Sequence, residues 1–460
     1  MFDGNMSMGV PVAGTGRWWV LTVVVAAQFM FVVDAFIVNV ALPSITADLH
    51  AEAGAMEAVI AVYQAAYAAL VITGGRLGDI YGRKPVFIVG VLAFTAASAW
   101  CGLSASATEL VLARLAQGAT AALMVPQVLA TLHVLFPGEG RNRAFAVFGI
   151  ALGTGGAVGF LLGGWLVTLD PVGLGWRSVF LVNLPIGGAV ALAAVRLMPA
   201  LPRQGGMRLD WVGTTLLLLA MVGLLGPLLA GARLGWPWWL WVVEAGAALV
   251  LGLSVRLARW VQRRGGQLLL EPALLQSRAF QRGLAAASSF QFGNIAFYLT
   301  VTLVMQGRLG LTPLQSGAVL VPLALAFTVA SQLAGRWTQR YGMQVLSWGC
   351  AAQLLGITAF AAVLQVPAAV LLVSALAVFG FGQGLVMAPL AGLVLANVAP
   401  AQAGSASGML NTVQQASGAI GVTTIGSVYA VDGAWAGLAV LGLSVVMTAT
   451  LLRGFDQARS

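Results

Sequence analysis

Long apolar stretches repeat along the whole chain, and short segments rich in glycine, proline or charged residues separate them. A helix that crosses a hydrocarbon core of about 30 Å needs roughly 20 apolar residues, because each residue advances the helix by about 1.5 Å. Fourteen stretches reach this length, and we predict a transmembrane helix in each. The predicted spans are 17–42, 56–76, 85–103, 108–134, 143–168, 178–199, 209–231, 238–258, 281–305, 315–336, 343–364, 367–391, 403–429 and 434–452.

The composition also indicates a polytopic membrane protein. Of the 460 residues, 60% are hydrophobic and only 8% are charged, whereas soluble domains carry about 25% charged residues. The two cysteines, Cys101 and Cys350, lie far apart in apolar stretches, which argues against a disulfide framework and a zinc-binding spacing. We find no phosphate-binding loop and no cluster of nucleophile, acid and base, so we expect neither an enzyme nor a cofactor.

The net charge of +9 comes from basic residues that lie mostly in loops on one face of the predicted bundle, which carries 19 of the 23. Cytoplasmic loops are enriched in Lys and Arg, so this distribution predicts that both termini are cytoplasmic. It argues against nucleic-acid binding, because the cations lie in short loops between spans. The excess of Arg over Lys, 22 to 1, with many Gly and Ala residues, indicates a high-GC bacterium and hence its cytoplasmic membrane.

An internal repeat divides the predicted helices into two halves. Segments 75–82 and 335–342 share Gly, Arg, Tyr and Gly at equivalent positions, 260 residues apart. Parallel repeats of six helices occur in secondary transporters, and the offset leaves two surplus helices between the halves. The predicted organisation is a cytoplasmic tail at 1–16, a first six-helix half at 17–200, two inserted helices at 201–265, a cytoplasmic linker at 266–282 and a second six-helix half at 283–460.

Several motifs on the expected spans resemble those of one transporter family. They are Asp34-Ala-Phe-Ile-Val-Asn-Val-Ala-Leu-Pro43, Gly75-Arg-Leu-Gly-Asp-Ile-Tyr-Gly-Arg-Lys84, Arg114-Leu-Ala-Gln-Gly118 and Phe180-Leu-Val-Asn-Leu-Pro-Ile-Gly187. The set resembles the major facilitator superfamily, and within it the fourteen-helix drug:proton antiporter branch. The resemblance implies an all-α fold of two six-helix bundles plus two inserted helices, and proton-coupled export of lipophilic small molecules such as antibiotics by alternating access. Protons and membrane lipids are the other expected partners, and we expect a monomer.

Asp34 lies in the middle of the first predicted span, with apolar residues on both sides. An ionised carboxylate inside the membrane is costly, so an acid there is a candidate functional group. The resembling family has its proton-linked acid at this place, which implies the same role for Asp34. The alternative is a carboxylate tied permanently to an arginine or to Asn39.

Arg114 is the one cation predicted inside a helix, and Gln117 and Gly118 lie on the same helix face one turn further along. The resemblance implies that Arg114 tunes Asp34 or relays its protonation to the packing of the helices. The alternative is an arginine whose guanidinium reaches the outer membrane interface. At the repeat offset, Asp34 corresponds to Asn294, so we expect charge-changing chemistry in the first half only.

Polar and aromatic residues at helical spacing are candidates for a substrate cavity, because polar side chains on an apolar helix avoid lipid. Core packing and hydrogen bonds between helices explain the same pattern about as well. The candidates are Phe31, Tyr63, Gln64, Tyr67, Gln117, Gln291, Asn294, Tyr298, Asn411, Gln414 and Gln415.

The loop after the second span is a candidate gate. Its glycines permit a tight turn, its acid can contact a helix end or an arginine, and its basic residues can contact lipid headgroups or a carboxylate of the other half. The gating residues are Gly75, Asp79, Gly82, Arg83 and Lys84.

The fifth span departs from the family pattern, because Phe160 stands in place of a signature proline. In the family, the bend at that proline is associated with prevention of leak. The departure keeps two alternatives open, a transporter of one specific metabolite and a facilitator that does not exchange protons. Glu244 in the eighth span belongs to the inserted pair, and we expect it to lie away from the pathway.

Overall fold

The computed structural model describes residues 16–51, 54–136, 139–201, 209–263, 274–366, 368–395, 398 and 402–456. The regular structure of these residues is entirely helical. The fourteen α-helices are α1 Gly16–Asp48, α2 Ala55–Tyr81, α3 Arg83–Leu103, α4 Ala107–Leu135, α5 Glu139–Leu169, α6 Ser178–Leu181, α7 Asn183–Leu197, α8 Trp211–Leu234, α9 Trp238–Arg263, α10 Arg278–Leu303, α11 Pro313–Tyr341, α12 Gln344–Val363, α13 Ala369–Leu395 and α14 Ala403–Asp456.

Helix starts follow from local sequence signals. The Ser106 side chain accepts a hydrogen bond from the backbone N–H of Glu109 at 3.2 Å and so caps α4. Thr312 and Gln315 form a reciprocal capping box at the start of α11, which satisfies two backbone donors that the helix leaves free. At the turn between α2 and α3, Gly82 has a φ of 100°, a conformation that favours glycine.

Three predicted spans have a different helical form from the one expected. The sixth span consists of a 3₁₀ turn at Gly175–Arg177, the four-residue α6 and then α7. The last two predicted spans form one continuous helical segment, α14, with a non-helical backbone at Gly433 (φ 80°, ψ −174°). Glycine at this φ allows the chain to change direction where the sequence predicts a loop.

Eleven helical segments of the described chain are long and apolar enough to cross a membrane, so the chain is a multi-pass membrane protein. The fourteen-span count stays a prediction. Three features explain the difference between the eleven helical segments and the fourteen predicted spans. The described side chains of α9 include an apolar segment of 17 residues, Trp238–Ser254, α10 carries many polar residues, and α14 covers two predicted spans.

The helices pack into two groups. In the first group, α1 to α4 and α7 share one apolar core, which includes Met30, Phe94, Met124 and Ala191. In the second group, α10, α12 and α13 meet around Phe297, whose ring stacks on that of Phe379 with centroids 3.6 Å apart. Helix α5 packs on α1, α11 packs on α13, and α14 packs on α10. We therefore refer to α1 to α5 with α7 as the first group and to α10 to α14 as the second group.

The two groups contact each other along two pairs of helices. Between α5 and α11, a Cβ atom at Gly317 would overlap the backbone carbonyl of Phe160, so only glycine permits this approach. Between α2 and α14, the Thr412 hydroxyl donates to the backbone carbonyl of Ala68 at 3.0 Å. We call this second contact the α2–α14 seam.

The groups also meet at the end where α1 stops and α2 begins, which the arginine distribution predicts to be extracellular and which we call the outer end. There the outer half of α1, including Ile37 and Leu42, lies in one core cluster with Tyr298 and Met305 of the second group. The Gln306 side chain donates to the backbone carbonyl of Val40 at 2.8 Å. The helices are therefore in close contact across the outer end.

The two helices of the predicted insertion pack unequally. Helix α8 covers the α2–α14 seam, because Leu217 lies in one apolar cluster with Ala65 of α2 and Ala419 of α14. A hydrogen bond of 2.9 Å joins the hydroxyls of Thr73 and Thr214. Helix α9 packs on α8 and exposes Trp238, Trp239 and Trp241, as expected for residues at a membrane interface.

The glycine contact between α5 and α11 leads to a test of the packing. Gly317→Ala should lower the free energy of unfolding by about 1–3 kcal/mol, because the added methyl group meets the Phe160 carbonyl. Thermal unfolding of the purified protein in detergent measures the change. Gly442→Ala on α14 is the matched control, since its Cβ would meet no atom within 4 Å. Equal melting temperatures for both variants would contradict the close approach.

Candidate functional site

Asp34 is fully buried near the middle of α1 and receives three side-chain hydrogen bonds. The Arg114 Nη1 atom donates to Asp34 Oδ2 at 2.8 Å. Asp34 Oδ1 accepts from Gln117 Nε2 at 2.8 Å and from Asn183 Nδ2 at 2.9 Å. Helices α4 and α7 therefore supply a complete set of donors to an acid on α1.

Arg114 is 2% exposed and lies inside the first group, so it does not extend to the outer interface. Its Nε atom donates to the backbone carbonyl of Val59 at 3.2 Å, and Nη1 also donates to Gln117 Oε1 at 2.7 Å. Its guanidinium lies 4.0 Å from the ring centroid of Tyr63. The cation thus has a carboxylate, two neutral oxygens and an aromatic face around it.

A glycine one turn beyond Arg114 makes this arrangement possible. A Cβ atom at Gly118 would overlap the backbone carbonyl of Tyr63, so α4 and α2 approach closely at this level. The spacing of Arg114, Gln117 and Gly118 puts all three on one face of α4. The short motif therefore positions the cation, an amide and the helix contact together.

Ser98 on α3 extends the network. Its Oγ atom accepts from Asn183 Nδ2 at 2.9 Å and from Gln117 Nε2 at 3.2 Å, and donates to the Phe180 carbonyl at 2.9 Å. The Cys101 thiol donates to Gln117 Oε1 at 3.4 Å. Helices α1, α3, α4 and α7 are thus joined through one polar cluster, which we call the Asp34 network.

The charge balance of the Asp34 network depends on its single ion pair. Removing one partner of a buried pair costs about 3–5 kcal/mol, because the other charge stays buried without compensation. Protonation of Asp34 would remove the charge of its carboxylate and leave the Arg114 guanidinium as a buried charge without compensation. A change in protonation at one atom can therefore change the preferred packing of several helices.

The cavity candidates of the first group have different surroundings in the structure. Gln117 belongs to the Asp34 network. Phe31 stacks with Tyr63 and Tyr67, with ring centroids 6.2 and 5.3 Å apart. Gln64 is partly buried near Gly418 of the second group, and its Oε1 atom has no hydrogen-bond partner. Only Gln64 and Phe31 combine partial exposure with a position between helices.

The second-group candidates form a neutral set. The Tyr298 hydroxyl donates to Gln383 Oε1 at 2.9 Å, and Asn294 Nδ2 lies 3.4 Å from Gln291 Oε1. Asn294 also lines a small cavity with Gln353, where Asn294 Oδ1 and Gln353 Nε2 have no partner. The remaining candidates, which are partly buried on α14, are Asn411, Gln414 and Gln415.

Three aromatic rings join the groups next to the Asp34 network. Phe160 meets Phe36 edge to face at 5.0 Å and Tyr298 at 5.5 Å, and Phe36 meets Tyr298 at 5.1 Å. Helix α5 is continuous through Phe160, which is 1% exposed. The residue at the position of the signature proline thus packs between α1 and α10. We call these three rings the aromatic cluster.

The gating loop contacts the first group. Arg83 Nη2 lies 3.4 Å from Asp79 Oδ1, and Arg83 Nη1 donates to the Ala130 carbonyl at 2.8 Å. The Lys84 ammonium donates to the backbone carbonyls of Val195 and Met198 at the end of α7. Among the described side chains, neither Arg83 nor Lys84 forms the predicted contact with a carboxylate of the other half. Gly75 packs beside α4, and Gly82 makes the turn.

Sequence reasoning missed three buried residues, Asn183, Ser98 and Glu57. Asn183 lies within a quoted motif, but an asparagine at the start of a short helix gave no sign that it would reach Asp34. Glu57 on α2 is 6% exposed, and it resembled an ordinary acid in the first turn of a helix. Glu244, in contrast, is partly exposed on α9 and lies outside the Asp34 network.

Comparisons with known proteins agree with the fold. Residues 24–422 match the Major Facilitator Superfamily. A probable actinorhodin transporter of Streptomyces coelicolor is 37% identical over 93% of this chain and 74% of that protein. The puromycin resistance protein pur8 of Streptomyces alboniger is 36% identical over 90% of this chain and 82% of that protein.

Two solved structures share the fold. The human organic anion transporter MFSD10 has a TM-score of 0.62 at 17% identity, over 95% of this chain and 99% of that one. The nucleoside transporter NupG has a TM-score of 0.63 at 15% identity, over 96% of this chain and 99% of that one.

A buried polar network inside apolar helices, together with these matches, defines a membrane transporter and not an enzyme. The chain belongs to the Major Facilitator Superfamily. Its relatives include a cephamycin export protein of Amycolatopsis lactamdurans and a drug efflux pump of Mycobacterium tuberculosis.

The ion pair can be tested through stability alone. At about pH 8, Arg114→Gln should lower the free energy of unfolding by about 3 kcal/mol, because Asp34 then stays buried without a cation. In the Asp34→Asn background the same change should cost less than half as much, because no carboxylate remains. Thermal unfolding of the four proteins in detergent gives the coupling. Additive effects of the two substitutions would contradict a direct ion pair.

Proposed function

We propose that this protein is a proton-coupled exporter of lipophilic small molecules, antibiotics among them, that works by alternating access. The observation that carries the proposal is the fully buried ion pair between Asp34 and Arg114 within the helix bundle. Relatives named for cephamycin export and for drug efflux support the substrate class. A carboxylate with a counter-ion inside a membrane can carry a proton, because it has a favourable partner in its charged form and is neutral in its protonated form.

In this proposal, transport is coupled to protons because a proton and the Arg114 guanidinium compete for the Asp34 carboxylate. In the present conformation Asp34 is charged and Arg114, Gln117 and Asn183 hold it. A proton that binds Asp34 cancels the attraction to Arg114, so α1 and α4 lose their strongest link. Since α1 also packs against the second group through Phe36 and Tyr298, the loss changes the balance between the two conformations of the halves.

In this proposal the first and second groups are the two six-helix halves, and both termini are cytoplasmic. The eleven spans become fourteen when α9 and α10 are counted and α14 is divided at Gly433. The location is the cytoplasmic membrane of a bacterium. The protein works as a monomer, because each half supplies the counterpart surface for the other.

Substrates bind between the halves, beside Phe31 and Gln64 from the first and the neutral polar residues of α10 and α14 from the second. The aromatic ring of Phe31 and the unpartnered amide oxygen of Gln64 suit a flat molecule with a hydrogen-bond donor. Asp34 is enclosed by its donors, so it acts on the substrate through helix positions and not as a direct ligand.

The aromatic cluster supports antiport over simple facilitation. Phe160 fills the contact between α1 and α10 that lies toward the outer end from Asp34. A closely packed apolar layer excludes water, and protons cross such a layer poorly. Phe160 therefore supplies the seal that the family obtains at the signature proline.

Asp34→Asn should abolish efflux driven by a pH gradient, at least about tenfold below the native protein, because no group remains to exchange the proton. Arg114→Ala should have nearly the same effect. The assay is uptake of a drug panel that includes puromycin into inverted membrane vesicles with an imposed pH gradient. Glu244→Gln is the control on a peripheral helix and should lower efflux less than tenfold. Undiminished pH-driven efflux in Asp34→Asn would refute the assignment.

Phe160→Ala should raise proton leak several-fold, because it opens a gap between α1 and α10 and weakens their packing by about 3 kcal/mol. A pH-sensitive dye inside proteoliposomes follows the decay of an imposed pH gradient. Leu161→Ala, which alters an exposed neighbour on α5, is the control. A leak no faster than that of the control would remove the sealing role and favour the facilitator alternative.

A further inference from the structure

A second buried carboxylate lies outside the Asp34 network, at the outer end of the α2–α14 seam. Glu57 is 6% exposed, and its Oε2 atom has neither a hydrogen-bond partner nor contact with solvent. On the facing helix α14, a Cβ atom at Gly426 would overlap the Glu57 side chain. The absence of a side chain at Gly426 thus makes room for Glu57 between the two halves.

Helix capping explains only part of this arrangement. Glu57 lies in the first turn of α2, where the free backbone N–H groups of a helix start attract a carboxylate. Glu109, the acid in the first turn of α4, is partly exposed and has a donor at each oxygen, because Oε2 accepts from the Ala105 N–H and Oε1 accepts from Trp100 Nε1. The Oε2 atom of Glu57, in contrast, has lost contact with water without gaining a donor.

No cation compensates the buried charge among the described side chains. The structure has no ion pair to Glu57 in its described part. From α14, Gly426 faces it, with Tyr429 the next titratable residue along that helix and Asp432 exposed beyond. From α8, the Leu229 carbonyl lies against Gly54, and Arg233 near the end of α8 lies outside the described side chains. Burial of an ionised carboxylate in such surroundings is unfavourable.

We propose that Glu57 is an external proton-binding site, protonated while the outer end of the α2–α14 seam is closed and ionised when the seam opens to the outside. The proton comes from the external solution during closing and returns to it during opening, so Glu57 gates the outer end and carries no proton across the membrane. The inference rests on the proposed alternating access and adds a second titrating group to it. External acid then favours the closing step, in which the exporter returns to load substrate.

The sign of the pH effect follows from linkage. Opening releases one proton, so the open fraction rises with external pH, by at most about tenfold per pH unit while Glu57 stays protonated in the closed form. Glu57→Gln cannot release a proton, and its open fraction should not respond to external pH. Glu57→Asp keeps a titratable group and should keep the response.

The test follows opening directly and needs no transported substrate. Ala419 on α14 is fully buried in one cluster with Ala61 and Ala65 of α2, so Ala419→Cys is labelled by a membrane-impermeant maleimide only when the seam opens. Both native cysteines are buried and give little background. Val172→Cys at an exposed turn of the outer end corrects for the pH dependence of the reagent.

Between about pH 6 and about pH 8 outside intact cells, corrected labelling of Ala419→Cys should rise roughly tenfold or more with native Glu57. It should be flat with Glu57→Gln, and it should still rise with Glu57→Asp and with Glu109→Gln, the matched first-turn acid. A rise that persists in Glu57→Gln, or the lack of any labelling at the higher pH in the native background, would overturn the proposal.

Asp34→Asn separates this inference from the proposed function. In the reporter background it should leave the external pH response in place, although it abolishes efflux driven by the pH gradient. If Asp34→Asn removes the response and Glu57→Gln does not, Asp34 is the sensor and the Glu57 proposal is wrong. Efflux that survives in Asp34→Asn would instead refute the coupling role of Asp34 and leave the labelling result to stand for Glu57.

Discussion

An ionised group inside an apolar bundle has to be paired, and within the described residues the pair of Asp34 and Arg114 meets this constraint in full. Asp34 and Arg114 are both buried, lie 2.8 Å apart and share Gln117 as a common neighbour. The pair fixes α4 against α1, and Asn183 adds α7 to the same cluster. The positions of the other helices of the first group depend on this pair, because each helix brings a hydrogen-bond donor or a close glycine contact near it.

The ion pair exists only while Asp34 is ionised, so a change in the protonation of Asp34 would change how the helices around it pack. Phe36 and Asp34 lie on the same helix, and the aromatic cluster joins that helix to α5 and α10. In the proposed mechanism, a proton at Asp34 would act on the contact between the two groups through α1 itself, without a separate relay. Glu57 differs, because it lies at the contact between the groups and has no cation beside it among the described side chains. The proposals thus assign coupling to Asp34 and gating to Glu57.

Sequence patterns predicted the helical segments well and the side-chain partners less well. The apolar stretches placed most helices, and the motif containing Arg114, Gln117 and Gly118 brought a cation and an amide to Asp34. The partners Asn183 and Ser98 were not predicted, because hydrogen bonds between distant helices depend on rotation and crossing angle, which periodicity does not give. Glu57 was missed for the same reason. Its sequence context fits a capped helix start, and only the position of Gly426 on another helix reveals its burial.

The most direct test of the account is the protonation of Asp34 itself. Infrared difference spectra between acidic and neutral pH, recorded on the protein in lipid nanodiscs in the Glu57→Gln background, report the C=O stretch of newly protonated carboxyl groups. We expect a band from a buried carboxyl group that appears on acidification and is missing when Asp34→Asn is added. A band that remains in the double variant, or an Asp34 that never titrates over the pH range in which the protein transports, would contradict the proton-carrying role of this ion pair.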